Sequence, residues 1–334
     1  MREPLVRING LTIDFDTGQS NVRALHGFDL QIEKGEAVGI VGESGSGKSI
    51  TWLGALGLLG PRARVAGSVR LDGREILGLG EREMAAIRGK RVAMIFQDPT
   101  SSLNPVHRIG QQLVESLVLH RGMSARSASA EARRLLERVQ IAAAAQRLSE
   151  YPHELSGGMN QRVMIAMALA GEPDLLIADE PTTALDVTIQ AQILEVLKEM
   201  RRETGMGLVI ISHDLGIVAE LADRVVVMYA GRPVETAPVS RIFDAPCHPY
   251  TRGLLAALPE IDGALERLVA IPGQVPEPHK LPPGCPFAPR CAQVNAKVCD
   301  ETVPPMRAIA QDHAAACALI HTAKPAALRS LELA

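Results

Sequence analysis

Three groups of residues carry side chains suited to chemistry. The first is Gly42-Glu43-Ser44-Gly45-Ser46-Gly47-Lys48-Ser49, which follows the spacing G-x-x-x-x-G-K-[ST]. Its glycines let backbone N–H groups turn inward around phosphate oxygens. A helix that starts there points its positive end at the same anion. Lys48 has the reach for β and γ phosphates, and the Ser49 hydroxyl can ligate Mg²⁺. The second group is Asp179-Glu180, at the end of the apolar run Leu175-Leu176-Ile177-Ala178. Asp179 is placed to hold Mg²⁺, directly or through water, and Glu180 to polarise a water attacking a γ-phosphate. Two solvated charges at a strand end would be the bland alternative, and the upstream phosphate loop weighs against it. The two groups together point to hydrolysis of a Mg-nucleotide. The third group is Cys285, Cys291, Cys299 and Cys317, spaced C-x5-C-x7-C-x17-C.

These side chains need elements to hold them. Ala37-Val38-Gly39-Ile40-Val41 is a short continuous apolar run, the pattern of a strand buried in a parallel sheet, and it feeds the Gly-rich loop. Helical spacing follows from about Lys48 to Leu59. Residues 4–41 otherwise read as strands with turns, and Val65–Leu71 and Val92–Phe96 as further strands. Residues 109–171 carry helical spacing, with Ser/Ala/Arg linkers expected near 122–130. Roughly 97–160 therefore reads as a helical insert. Strand–helix alternation then resumes: strands at Leu175–Ala178, Gly207–Ile211 and Val225–Met228, helices at Thr188–Glu203 and 214–222. After about 246, Pro, Cys and His concentrate, which marks an appended segment. The expected fold class is α/β.

Composition limits the alternatives. The 334 residues carry 35 basic and 38 acidic side chains, a formal net charge of −3. That balance gives no support to a nucleic-acid binder or a polybasic membrane-surface protein. No apolar run reaches the ~20 residues of a membrane span, and Met1-Arg2-Glu3-Pro4 lacks the apolar stretch of a signal peptide. The expectation is a chain kept on the cytoplasmic side, where five cysteines do not build a disulfide framework. Cys247 lies outside the four-cysteine spacing and reads as a small buried hydrophobe.

Leu155-Ser156-Gly157-Gly158-Met159-Asn160-Gln161-Arg162 precedes the acidic pair. Ser156 reads as an N-cap, and Gly157 and Gly158 expose N–H groups at a helix start, a second anion site. This stretch resembles the signature motif of ATP-binding-cassette (ABC) ATPases. In that family the second cradle closes over ATP held by a partner cassette. The resemblance extends to Gln97, which matches the glutamine that senses Mg²⁺ and contacts a membrane partner. It extends to Ala184-Leu185-Asp186, the D-loop, and to His213, the switch histidine that contacts the γ-phosphate. Phe15 occupies the place of the adenine-stacking aromatic, with plain core as its other reading. Asn160 departs from the usual signature but lies outside the Ser-Gly-Gly cradle. Phe96-Gln97-Asp98-Pro99-Thr100-Ser101-Ser102-Leu103-Asn104-Pro105, Pro181–Thr188 and His248-Pro249-Tyr250-Thr251 look like the oligopeptide/dipeptide permease branch, with the dipeptide ATP-binding subunits nearest.

That resemblance implies a P-loop (RecA-like) ABC ATPase core over 4–250, with an antiparallel β subdomain, a helical subdomain near 97–160, and a Cys-rich C-terminal extension over 251–334. It implies ATP and Mg²⁺ (on Ser49, Gln97 and Asp179), with Glu180, His213 and Gln97 catalytic. Phe15, Gly42 to Ser49, Ser156, Gly157, Gly158 and Asp186 would then contact ATP. Its implied partners are a second cassette (homologous or identical), two transmembrane permease subunits and an external substrate-binding protein. The implied location is peripheral, on the cytoplasmic face of the bacterial inner membrane. Spacing alone leaves iron–sulfur, zinc and free thiols open for Cys285, Cys291, Cys299 and Cys317, although no C-x2–4-C zinc pair is present. The resemblance implies a [4Fe-4S] cluster there. The expected function is to power peptide import. Alternatives are an importer of nickel chelates, glutathione or haem-like ligands, a non-transport ABC ATPase, or a P-loop kinase. The short separation of residues 50–154 between loop and signature argues against DNA-repair types, and the single motif set against translation types. A kinase leaves Gln97, the signature and His213 without roles.

Overall fold

The computed structural model describes residues 3–97, 102–183, 185–258 and 270–320. Its strands are β1 (Val6–Asp16), β2 (Asn21–Ile32), β3 (Ala37–Val41), β4 (Ala63–Leu71), β5 (Arg74–Glu75), β6 (Val92–Ile95), β7 (Leu175–Asp179), β8 (Gly207–Ser212), β9 (Arg224–Tyr229), β10 (Arg232–Pro238), β11 (Arg307–Ala310) and β12 (His313–Ala315). The order β2-β1-β4-β5 forms an antiparallel sheet. The order β11-β12-β10-β9-β3-β8-β7-β6 forms the main sheet. Its five strands from β9 to β6 are parallel.

Strand period explains why those parallel runs are apolar throughout. Successive side chains point to opposite faces, and both faces are covered. Val38, Ile40, Leu175, Ile177, Val209 and Ile211 join the core beneath the antiparallel sheet. Ala37, Val41, Leu176, Ala178, Leu208 and Ile210 join the core on the helical side.

Element boundaries differ from expectation where capping decides them. The helix Lys48–Ala55 stops short of Leu59, because the chain turns at Gly57 in the left-handed region (φ 62°). The expected linker near 122–130 is mostly helix. Ser124 caps Ala125–Arg138 by accepting the Ser127 N–H, and Ala128, Ala132, Leu135 and Leu136 bury one face. Only Gly122 to Ser124 connect it to the helix Ile109–Arg121. The Ser/Ala composition that suggested a linker instead supplies a cap and a small-residue packing face.

The Pro/Cys-rich segment is sewn onto the main sheet. β12 pairs antiparallel with β10, Glu235 opposite Ala315. The expected border at 250/251 falls inside the helix Pro249–Ala256. Beside that helix, the fully buried Glu235 carboxylate accepts the amides of Cys247 (2.7 Å) and His248 (2.9 Å). It also meets His313 Nε2 at 2.8 Å, tying β10, the 247–248 turn and β12 together. Cys247 is half-buried, not the buried hydrophobe expected: its N–H donates to Glu235, while its thiol lies toward the exposed Ala245 carbonyl.

Candidate functional site

β3, β7 and β8 are adjacent parallel strands, so their C-terminal ends share one edge. That edge carries the loop 42–49 after β3, Asp179-Glu180 at the end of β7, and His213 after β8. In an open α/β sheet this is where ligands bind.

The loop's geometry depends on glycine. Gly42 sits at φ 153°, and a Cβ there would lie 2.2 Å from the Met228 carbonyl oxygen. Gly47 takes φ 100° immediately before the helix Lys48–Ala55. Lys48 is buried, with Nζ donating to the carbonyls of Gly42 (2.7 Å) and Glu43 (3.0 Å). Burial lowers its pKa, against the opposing charges of Glu180, Asp179 and Glu43. Burial raises the pKa of Asp179. A hydrogen bond from Ser49 opposes that rise, Glu180's charge adds to it, and Lys48 opposes it. Ser49 and Asp179 therefore already present adjacent hard oxygen atoms, a donor set that suits Mg²⁺.

Glu180 adopts φ 48°, left-handed for a residue with a side chain, and its N–H donates to the Ile211 carbonyl (2.9 Å). That turn aims the carboxylate at two other expected site residues. Gln97 Nε2 donates to Oε2 at 3.0 Å, Thr183 Oγ1 donates to the same oxygen at 2.9 Å, and His213 Nδ1 lies 3.4 Å from Oε1. Gln97, Glu180 and residues 44–49 line one cleft, with Arg23, Ala24, Gly231 and, from the C-terminal segment, Pro276, Pro278 and Leu281.

Other expected site residues are elsewhere. Ser156 caps the helix Gly157–Leu169 through the Met159 N–H (3.3 Å), and Ser156 and Gly157 are exposed. None of 156–158 lines the cleft. Asp186 is likewise an exposed cap, accepting the Ile189 N–H at 2.9 Å. Asn160 is buried and donates to the Pro152 carbonyl at 2.9 Å. Phe15 is half-buried against the core beneath the antiparallel sheet and does not line the cleft. Asp98, Pro99, Thr100, Ser101 and Ala184, parts of two family motifs, lie outside the described residues.

The four tail cysteines are free thiols gathered in one region. The Cys285 N–H donates to the Cys299 carbonyl at 2.7 Å. Burial pushes the Cys285 thiol up, the amides of Phe287 and Ala288 oppose this, and Cys299 and Cys317 add to it. Cys291 is raised in the same way, opposed by the Gln293 amide. A single tetrahedral ion at a Zn–S length near 2.3 Å needs its sulfurs about 3.8 Å apart. Among the described residues only Glu235, Cys247 and His313 bring three ligand atoms within 4.8 Å of one another, so no three of these four thiols do.

Sequence reading missed the residues behind the phosphate loop. Glu43's N–H donates to the Tyr250 hydroxyl (2.8 Å), and its carboxylate pairs with Arg290. The signals were Tyr250 in the His-Pro-Tyr-Thr stretch and Arg290 beside Cys291. Neither type nor spacing says that they meet the loop.

Comparison with known proteins agrees with this arrangement. A family model described as "ABC transporter" matches residues 25–183. One described as "Oligopeptide/dipeptide transporter, C-terminal region" matches 234–299. A putative peptide import ATP-binding protein of Brucella abortus is 53% identical over 294 residues, covering 88% of this chain and 89% of that one. The oligopeptide transport ATP-binding protein OppD of Salmonella typhimurium is 48% identical over 313 residues, covering 94% and 93%. Among solved structures, the dimeric post-hydrolysis ATP-binding cassette MJ0796, bound to ADP and Pi, superposes with TM-score 0.64 at 29% identity. That match covers 70% of this chain and 98% of that one.

Proposed function

The chain belongs to the ABC transporter ATPases, in the branch of peptide-import ATP-binding proteins, and from that membership we propose how its own residues do the work. It is the subunit whose ATP hydrolysis powers peptide import. The observation that carries the reading is the meeting of Gln97, Glu180 and His213 at the phosphate-loop edge of the main sheet.

The N–H groups of 42–49 and Lys48 bind the β and γ phosphates. On ATP binding, Lys48 exchanges the Gly42 and Glu43 carbonyls for phosphate oxygens. Ser49 and Asp179, with Gln97, would hold Mg²⁺, which would neutralise charge on the phosphates when bound. Glu180 accepts a proton from the attacking water, and His213 contacts the γ-phosphate. Phe15, half-exposed at the end of β1, is the candidate for adenine stacking.

Ser156, Gly157, Gly158 and Asp186 serve a second cassette's ATP. The exposure of Ser156, Gly157 and Asp186 away from this chain's own cleft supports that assignment, as does a dimeric cassette among the structural neighbours. That partner, two permease subunits and a substrate-binding protein complete the proposed importer. No helix among the described residues is long and apolar enough to cross a membrane, so attachment to the inner membrane would run through the permease. The cassette passes into the C-terminal extension within the helix Pro249–Ala256, and in that extension Cys285, Cys291, Cys299 and Cys317 would hold a [4Fe-4S] cluster. The mutual proximity of the thiols and the amides aimed at Cys285 and Cys291 support that ligand.

The test is uptake of a labelled dipeptide and a labelled hexapeptide by cells with and without this chain. Deletion should abolish uptake of at least one, and Glu180→Gln should not restore it. Unchanged uptake of both would reject peptide import.

A further inference from the structure

Arg290 stands in the short 3-10 turn Ala288–Arg290, one residue before Cys291. Its side chain is only 4% exposed, yet it does not end in the tail's own core. Nη1 donates to Glu43 Oε2 at 2.7 Å and Nη2 to Glu43 Oε1 at 3.0 Å, a two-pronged pair. Nε donates to the Pro272 carbonyl (2.8 Å), and the guanidinium carbon lies 5.8 Å from the centre of the Tyr229 ring. The guanidinium is thus held by the tail's own backbone at Nε as well as by the Glu43 carboxylate.

Glu43 is the second residue of the phosphate loop. Its carbonyl accepts the Ser46 N–H (3.2 Å) and Lys48 Nζ (3.0 Å), and its own N–H is taken by the Tyr250 hydroxyl. Tyr250, Tyr229 and Phe287 pack ring on ring, with centroids 4.7 to 5.4 Å apart. The first turn of the loop is thus gripped at backbone and side chain by residues outside the loop. Phe287 and Arg290 both lie between Cys285 and Cys291.

The pair also has an electrostatic consequence. Glu43's charge is felt at Lys48. A free carboxylate there would repel the nucleotide's phosphates, and Arg290 neutralises it. We propose that Arg290 is a positioning residue of the nucleotide site, through which the cysteine-bearing C-terminal segment sets the affinity of the phosphate loop for ATP. This rests on the reading that residues 42–49 bind ATP, and not on what the cysteines hold.

The experiment measures MgATP binding and thermal unfolding of the full chain in four forms: wild type, Arg290→Gln, Glu43→Gln and the double variant. Arg290→Gln leaves Glu43 unpaired beside the phosphates and should weaken MgATP binding about tenfold. Glu43→Gln, a change within the loop itself, is the reference against which the double variant is read. The double variant should bind MgATP more tightly than Arg290→Gln alone, since the offending charge is gone. Arg290→Lys, one charge without the fork, should lie between wild type and Arg290→Gln. A merely structural pair would lose affinity equally from either side and track the melting temperature. Two results overturn the proposal. One is Arg290→Gln binding MgATP as wild type does. The other is a double variant as weak as Arg290→Gln alone. Failure of the wild type itself to bind MgATP would instead reject the nucleotide reading.

Discussion

Glu180 holds φ 48° because the Ile211 carbonyl takes its N–H, and its carboxylate is shared among Gln97, Thr183 and His213. A left-handed residue with a Cβ costs of order 1–3 kcal/mol, and such strain concentrates at functional sites. Glu180→Gln keeps the shape and the Thr183 and Gln97 contacts but cannot accept a proton. Turnover in the assembled transporter should fall at least about a hundredfold, while MgATP binding persists and traps the closed cassette pair. Near-normal turnover would remove Glu180 from the chemistry. Lys48→Ala should do the reverse, weakening MgATP binding itself, since its ammonium is the loop's own charge on the phosphates. Unchanged affinity would overturn that assignment. These residues were legible in sequence because each is tied to a short pattern, the Gly-rich loop or an apolar strand ending in carboxylates. Arg290 and Tyr250 were not, because their partner Glu43 lies more than 200 positions away, at separations of 247 and 207. No local pattern encodes such a pairing.

Elements are positioned by their ends. His248 is buried and accepts the Tyr250 N–H at 3.1 Å, capping the helix Pro249–Ala256, and Tyr250 in turn reaches the phosphate loop. Burial pushes the His248 pKa down from 6.5 to about 4, although Glu235's charge opposes this. The native state therefore favours neutral His248, while the unfolded chain protonates near its ordinary value. Stability from this group is whole above pH 6.5 and is lost as pH falls through 4, by up to about 3 kcal/mol. Urea midpoints measured between pH 7 and 4 should fall in the wild type and fall less steeply in His248→Gln. His26, also near 4 through burial, keeps part of the slope. Parallel curves would show that His248's burial does not set the acid limit. Strand periodicity made the parallel sheet readable, since both faces are covered. The first turns of the helix Ala125–Arg138 were not readable, because alanine at a packing face and alanine in a linker look alike in sequence.

At the scale of the whole molecule, the proposed importer requires ATP chemistry to reach a permease subunit, and one surface offers a place for it. Leu56, Leu58, Phe96, Leu103, Met164 and Met167 line an apolar groove of 580 Å³ between the main sheet's edge and the helices of the insert. Leu58 and Phe96 remain 41% and 40% exposed, apolar surface that a docked partner would cover. Phe96 precedes Gln97, whose amide donates to Glu180 at 3.0 Å, so a helix seated in the groove would sit one residue from that contact. A cytoplasmic helix of a permease subunit is the occupant this continuity favours. Leu58→Asp puts a charge in the groove far along the chain from Gln97. It should abolish co-purification with the permease subunits and membrane association in cells that express them, yet leave MgATP affinity within about twofold, as surface changes away from a site usually do. Retained co-purification would place the docking surface elsewhere. Loss of both properties would mean that the groove is core, and that its exposed leucine and phenylalanine close over each other in solution.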